Sequence, residues 1–232
     1  MAIPWVLIHS PLVAPATWDV LSATLADGGI DCRVPDLRPT LLEGPPYWQR
    51  QVEAIASSAA AGGPAVLIGH SGAGPLLPAA GQAAGTVAGY VFMDAGLPTP
   101  GQSWTQSAPR EHVEQLKSMR VDGWLPPWSQ WWGQEGLASL LPDPKTRDAF
   151  AGECLPLPWA MFEEPHPTVP SWPDAPCGYL RLSTAYQDAA DRARAWGWPT
   201  IEVDADHLAM VTGPETVRTA LLELVRRLVD QH

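Results

Sequence analysis

Short apolar runs alternate with amphipathic stretches along most of the chain. Pro4-Trp5-Val6-Leu7-Ile8-His9 has strand length and no charged interruption, the pattern of a strand buried on both faces. From Thr17 to Gly28 the period changes. Trp18, Leu21 and Leu25 recur at spacings of three and four, and Asp27-Gly28-Gly29 supplies a stop, which predicts a helix. The same reasoning predicts strands over Asp31–Pro35, Ala65–Gly69, Val87–Asp94, Gly178–Ser183 and Pro199–Val203. It predicts helices over Tyr47–Ala61, Pro75–Ala84, Ala189–Trp196 and Pro214–Val229, with Pro214 suited to a first turn. Strands of this kind alternating with helices imply an α/β fold: a mostly parallel six-stranded sheet with helices on both faces.

The alternation breaks once, between about Leu97 and Pro176. That stretch holds seven of the twelve tryptophans and fourteen of the twenty-six prolines. It contains candidate helices (Arg110–Met119 and Thr146–Cys154) but no strand suited to the sheet. The expected organisation is a core of residues 1–96 and 177–232 with a lid, 97–176, inserted after a sheet strand. Ligand pockets are lined mainly by apolar and aromatic side chains. Trp104, Trp128, Trp131, Trp132 and Trp159 are therefore the expected walls of a substrate pocket for a small, largely apolar molecule. Exposed tryptophans in the lid would also suit a second copy of the chain as a partner.

Composition narrows the options. The net charge of −11, with no basic run, argues against nucleic acid or an anionic membrane as partner. No segment approaches the ~18 apolar residues of a membrane span, and the first residues lack a signal-like pattern. Cys32, Cys154 and Cys177 are few, odd in number and without metal-ligand spacing, so they read as reduced thiols of a cytoplasmic protein. No His/Cys/Asp spacing points to a metal, and no nucleotide-binding glycine fingerprint is complete. No cofactor is expected.

The densest chemical signal is Ala65-Val66-Leu67-Ile68-Gly69-His70-Ser71-Gly72-Ala73-Gly74. An apolar strand runs into Gly-His-Ser-Gly just where a helix should start, which is how a nucleophilic serine is displayed at a sharp strand-to-helix turn. Gly69 and Gly72 let the crowded backbone bend. A serine hydroxyl needs a base to take its proton. His207, in Asp204-Ala205-Asp206-His207-Leu208, lies between the last strand and the last helix and is the preferred base. His9 and His70 read as hydrogen-bonded packing, His112 and His166 belong to the lid, and His232 is the final residue.

With His9-Ser10-Pro11-Leu12 ending the first strand, the chain resembles the α/β-hydrolase superfamily. The resemblance spans nearly the whole chain. It is greatest to the small lid-bearing members similar to plant methyl esterases and hydroxynitrile lyases. It implies an acid that orients the histidine. In many relatives that acid follows the strand after the lid, where this chain has Ser183 and Thr184, and Asp188 comes several residues late. The other position known in the superfamily, similar to that of haloalkane dehalogenases, ends the strand before the lid and holds Asp94. Asp94 is preferred over Asp188, since Ser71, Asp94, His207 is the family's chain order. The resemblance also implies an oxyanion hole of two N–H groups, one from Gly72. The second position holds Pro11, which has no N–H. Leu12 N–H or the Ser10 hydroxyl is then the expected substitute.

Three readings follow. The preferred one is a serine hydrolase that cleaves an ester or lactone through an acyl-enzyme. A lyase, cyclase or isomerase on the same scaffold is the alternative. It is suggested by Pro11 and by Ser10 lying where hydroxynitrile lyases carry a catalytic threonine, although Leu208 stands where those lyases use a lysine. The third reading is a non-catalytic small-molecule-binding protein.

Overall fold

The computed structural model describes residues 3–60 and 63–229. Strands β1 (Trp5–Ile8), β2 (Cys32–Arg33), β3 (Ala65–His70), β4 (Val87–Met93), β7 (Cys177–Arg181) and β8 (Thr200–Glu202) form one sheet in the order β2-β1-β3-β4-β7-β8. All its pairings are parallel. The central strands explain their own sequences. Every residue of β1 and β3 is buried, so neither strand needs a polar face. β2 stops at Arg33, ahead of Pro35, which cannot donate to the ladder.

Among the helices of eight residues or more, α1 (Asp19–Asp27), α2 (Tyr47–Ala59), α3 (Leu77–Ala84), α7 (Gln187–Ala195) and α8 (Pro214–Val229) flank the sheet. The expected helices at Thr17 and Pro75 begin differently. A short 3₁₀ segment (Pro15–Trp18, and Ser71–Leu76 after β3) precedes each α-helix. The expected end of α2 at Ala61 lies outside the described residues. Each helix turns its apolar stripe inward: Val217, Leu221, Leu224 and Leu228 of α8 are at most 1% exposed. Truncating such a side chain to alanine costs about 2–5 kcal/mol.

The segment between β4 and β7 adds no strand to the sheet. It carries α4 (Arg110–Ser118), α5 (Gly133–Leu140) and α6 (Pro144–Glu153), of which α5 is not legible in the sequence. Its own short antiparallel pair, β5 (Trp124–Leu125) with β6 (Leu157–Pro158), was also not expected. Hydrogen bonds fasten the insertion to the start of α2: Trp48 Nε1 donates to the Glu164 carbonyl (2.9 Å) and Tyr47 N to the Glu164 carboxylate (2.8 Å). Arg38, after β2, bridges to Glu153 at 3.1 Å. Residues of this segment, Trp104 and Trp131 among them, share two cavities with Ser71 at the end of β3.

Among the described residues no helix is long and apolar enough to cross a membrane. All three cysteines are free. No cluster of potential metal ligands occurs among the described residues.

Candidate active site

Ser71 follows the last residue of β3 and has φ of 56°, a left-handed conformation that costs a side-chain-bearing residue free energy. Two features hold it there. Gly96 N–H donates to the Ser71 carbonyl at 3.0 Å. The turn itself also presses close to the loop after β4: a Cβ on Gly74 would lie 2.0 Å from the Gly96 carbonyl oxygen.

Asp94, directly after β4, also has positive φ, 43°, and is fully buried. Its carboxylate accepts four hydrogen bonds. Oδ1 takes Leu182 N–H (2.8 Å) and Ser183 N–H (2.9 Å), and Oδ2 takes Ser183 Oγ–H (2.6 Å) and His207 Nδ1–H (2.7 Å). Burial alone would raise its pKa. The bonds and charge of His207, with those of Ser183, outweigh burial and hold the carboxyl below its ordinary value. Ser183, at the position where relatives carry the acid, serves here as a donor to it. Asp188 is exposed in the first turn of α7.

His207 is fixed on several sides. Asp94 sets Nδ1 as the protonated nitrogen, leaving Nε2 as the free base. His70 donates from Nε2 to the His207 carbonyl at 3.0 Å, and the two rings lie 4.4 Å apart. Burial, then the nearby charge of His207, drives the His70 pKa well down, so His70 is a neutral brace. Tyr186 also stacks on it, its ring plane 7° from that of His207. Tyr186 also holds the nucleophile candidate: its hydroxyl lies 3.2 Å from Ser71 Oγ. No hydrogen bond joins Ser71 Oγ to His207 in this arrangement. Burial pushes the Tyr186 phenol up to about 12, so it carries its proton. The sequence reading missed Tyr186, because Thr184-Ala185-Tyr186 reads as a loop of no particular chemistry.

The oxyanion candidates come from the turn after β3 and the loop after β1. Gly72 is the second residue of the turn, where N–H groups have no partner within the helix. Ser10 is buried, and its Oγ stands 3.0 Å from where a Cβ on Gly72 would be. Leu12 N–H donates to Ser10 Oγ at 3.3 Å, so the backbone donor after Pro11 is engaged with Ser10. The Ser10 hydroxyl proton has no acceptor among the described residues. His9 anchors this loop: Leu37 N–H donates to its Nε2 (3.0 Å), and its Nδ1–H donates to the Ser10 carbonyl (2.8 Å). Burial keeps His9 neutral, with its pKa down to about 4.

Two cavities meet at Ser71. The outer one, about 590 Å³, includes Trp128, Trp132, Ser183 and His207 in its walls. The smaller and more enclosed one, about 240 Å³, includes Gly72, Trp48, Met161, Phe162 and His166. Leu12, Ser71, Trp104, Trp131 and Tyr186 line both. Four of the five expected tryptophans therefore line the cavities. Trp159 does not: it is buried one layer back, stacked on Phe162 at 5.9 Å, with the Arg120 guanidinium over its ring. Aromatic composition does not reveal which face of the insertion a tryptophan occupies.

The sequence matches the alpha/beta hydrolase family over residues 5–220, so the chain belongs to that family. No curated protein matches at a significant level. Solved structures share the fold at low identity. An extracellular alpha/beta-hydrolase from a Paenibacillus species, described as structurally and functionally homologous to tobacco salicylic acid binding protein 2, is 17% identical. It has a TM-score of 0.76 over 96% of this chain and 98% of that one. A pyrethroid hydrolase from Sphingobium faniae JZ-2 is 20% identical, with a TM-score of 0.75 over 97% of this chain and 98% of its own. Tomato methylketone synthase I, solved as its H243A variant with beta-ketoheptanoate, is 15% identical, with a TM-score of 0.72 over 98% of this chain and 99% of that one.

Proposed function

We propose that this protein is a serine hydrolase that cleaves the ester or lactone bond of a small, largely apolar molecule through an acyl-enzyme. One observation carries the reading: the strained turn that displays Ser71 opens into the same cavity as a histidine whose Nδ1 is held by a buried carboxylate.

In this mechanism, rotation about the Ser71 Cα–Cβ bond exchanges the Tyr186 hydroxyl for His207 Nε2. Ser71 Oγ attacks the carbonyl carbon while its proton passes to His207, and Asp94 stabilises the imidazolium. Gly72 N–H and Ser10 Oγ–H stabilise the oxyanion, with the Ser10 hydroxyl taking the part of the N–H that Pro11 lacks. Collapse expels the alkoxide, which takes the proton from His207. A water then gives its proton to His207 and attacks the acyl carbon. The acid leaves and Ser71 regains its proton. Residues 97–176 act as the lid, and the steps call for no cofactor.

A p-nitrophenyl butyrate assay tests the reading: wild type releases nitrophenolate, and Ser71→Ala does not. The alternative, proton-transfer chemistry by the His207–Asp94 pair without a covalent intermediate, is favoured by the Ser71–Tyr186 bond. It predicts that Ser71→Ala still turns over the natural substrate.

A further inference from the structure

Given the ester-cleaving reading, the two cavities have distinct chemical roles. The leaving alkoxide must take its proton from His207, so the alcohol part lies on the His207 side. His207 lines the outer cavity and not the inner one. The carbonyl oxygen must face Gly72, which lines the inner cavity and not the outer one. With the alcohol part in the outer cavity, the inner one, which also opens onto Ser71, is left for the acyl part. At about 240 Å³ that space is below the usual ~300–1,000 Å³ of a ligand pocket, so it takes a short acyl group.

Its walls are mostly apolar. Besides Ser71 and the Tyr186 hydroxyl beside it, they include one polar side chain that plays no part in the mechanism. His166, from the insertion, is 6% exposed and lines the inner cavity. Its backbone is fixed on both sides: His166 N–H donates to the Gln102 carbonyl and Gly101 N–H to the His166 carbonyl, each at 3.0 Å. Its ring meets Trp48 edge-on, with centroids 5.1 Å apart. Nδ1 lies 2.8 Å from Thr99 Oγ1. Nε2 has no hydrogen-bond partner among the described residues and is not one of the sealed polar atoms of the interior, so solvent reaches it, and His166 lines the inner cavity. Burial moves the His166 pKa down to about 4, so the ring is neutral near pH 7. Because the Thr99 hydroxyl can donate to Nδ1 or accept from it, Nε2 can serve as donor or acceptor. A buried polar atom left without a partner costs free energy whenever an apolar group fills the space beside it.

We propose that His166 is a specificity-determining residue that hydrogen-bonds a polar substituent on the acyl part of the substrate, so that short hydroxy- or oxo-acyl esters are preferred to plain alkyl ones. The preference comes from the same asymmetry by which a site built to bond a hydroxyl rejects the analogue lacking it. The bond to His166 is present before and during the reaction, so the preference sits in KM more than in kcat.

The test compares p-nitrophenyl butyrate with the 2-hydroxy-, 3-hydroxy- and 3-oxobutyrate esters, on wild type, His166→Phe and His166→Gln. The expected result is that wild type prefers at least one polar ester by about tenfold in kcat/KM. That ratio falls to near one in His166→Phe and is partly kept in His166→Gln. Because the ratio is taken within each variant, a general loss of activity does not affect it. The proposal is overturned if wild type prefers no polar ester, or if the preference survives in His166→Phe. If wild type cleaves none of the esters, it is the hydrolase reading that fails. Calorimetric binding of the corresponding ethyl esters to Ser71→Ala, with and without His166→Phe, then decides the role of His166. Tighter binding of a polar ester that is lost with the imidazole supports the role, and equal binding of all esters overturns it.

Discussion

The Tyr186 hydroxyl lies 3.2 Å from Ser71 Oγ while its ring stacks on the His207 imidazole, with centroids 5.1 Å apart. One side chain thus occupies the hydrogen-bonding direction of the proposed nucleophile and shields the proposed base. A neutral hydrogen bond of this kind is worth about 0.5–1.5 kcal/mol net. Tyr186→Phe keeps the stack and removes the competing hydroxyl. It is expected to raise the rate of Ser71 acylation by about two- to tenfold, read as the nitrophenolate burst. A loss of about a hundredfold would show instead that the phenol takes part in the chemistry.

In the proposed mechanism Ser10 takes over the donor that Pro11 lacks. With Leu12 N–H donating to Ser10 Oγ, that hydroxyl is the donor left to assist Gly72. Ser10→Ala is expected to lower kcat by about 10²–10³ with little change in KM, the usual cost of one oxyanion donor. Ser10→Thr should restore much of the activity. Equal activity of Ser10→Ala and wild type in steady-state assays would remove Ser10 from the mechanism.

The acid can be assigned by substitution. Asp94→Asn can no longer hold His207 as a charged partner, and the expected fall in kcat is about 10⁴-fold. Asp94→Ala also leaves the buried Leu182 N–H and the half-buried Ser183 N–H without their acceptor. Its expected destabilisation, in urea unfolding, is about 3–5 kcal/mol. Asp188→Asn, on the exposed first turn of α7, should match wild type in both assays. Activity lost in Asp188→Asn and kept in Asp94→Asn would reverse the assignment.

Stability should fall in mild acid. His9 and His166 are each pushed from 6.5 to about 4 by burial. Between those values the unfolded chain holds protons that the folded protein lacks, so stability rises with pH across the window and is lost as pH drops from about 6.5 toward 4. Each group contributes a slope of about 1.4 kcal/mol per pH unit. Urea unfolding at several pH values should show this slope, reduced by about one proton's share in His166→Phe. His70, which burial also drives well down, adds to the slope, and a flat profile over this range would mean that these imidazoles are not neutralised by the fold.

The sheet was readable because its central strands are buried on both faces and carry no polar residue between their ends. Ser71 was readable because a strained turn requires small neighbours in a fixed order. Asp94 was reached through the chain order of the family, and the structure puts it against His207. What lay beyond the sequence depends on long-range approach. The inner cavity is assembled from Trp48 on α2, Trp104 and Trp131 in one part of the insertion, and Met161, Phe162 and His166 in another. No local pattern encodes that meeting. Trp159 shows the same limit, since its period and composition match those of the tryptophans that do face the cavity.

The claim on which the account rests is that Ser71 is the group that becomes acylated. Peptide mass spectrometry after treatment with a fluorophosphonate reports this directly. The predicted result is one adduct, on Ser71, formed far more slowly in His207→Ala and Asp94→Asn. Wild-type protein that hydrolyses an ester yet carries no adduct on Ser71 would contradict it.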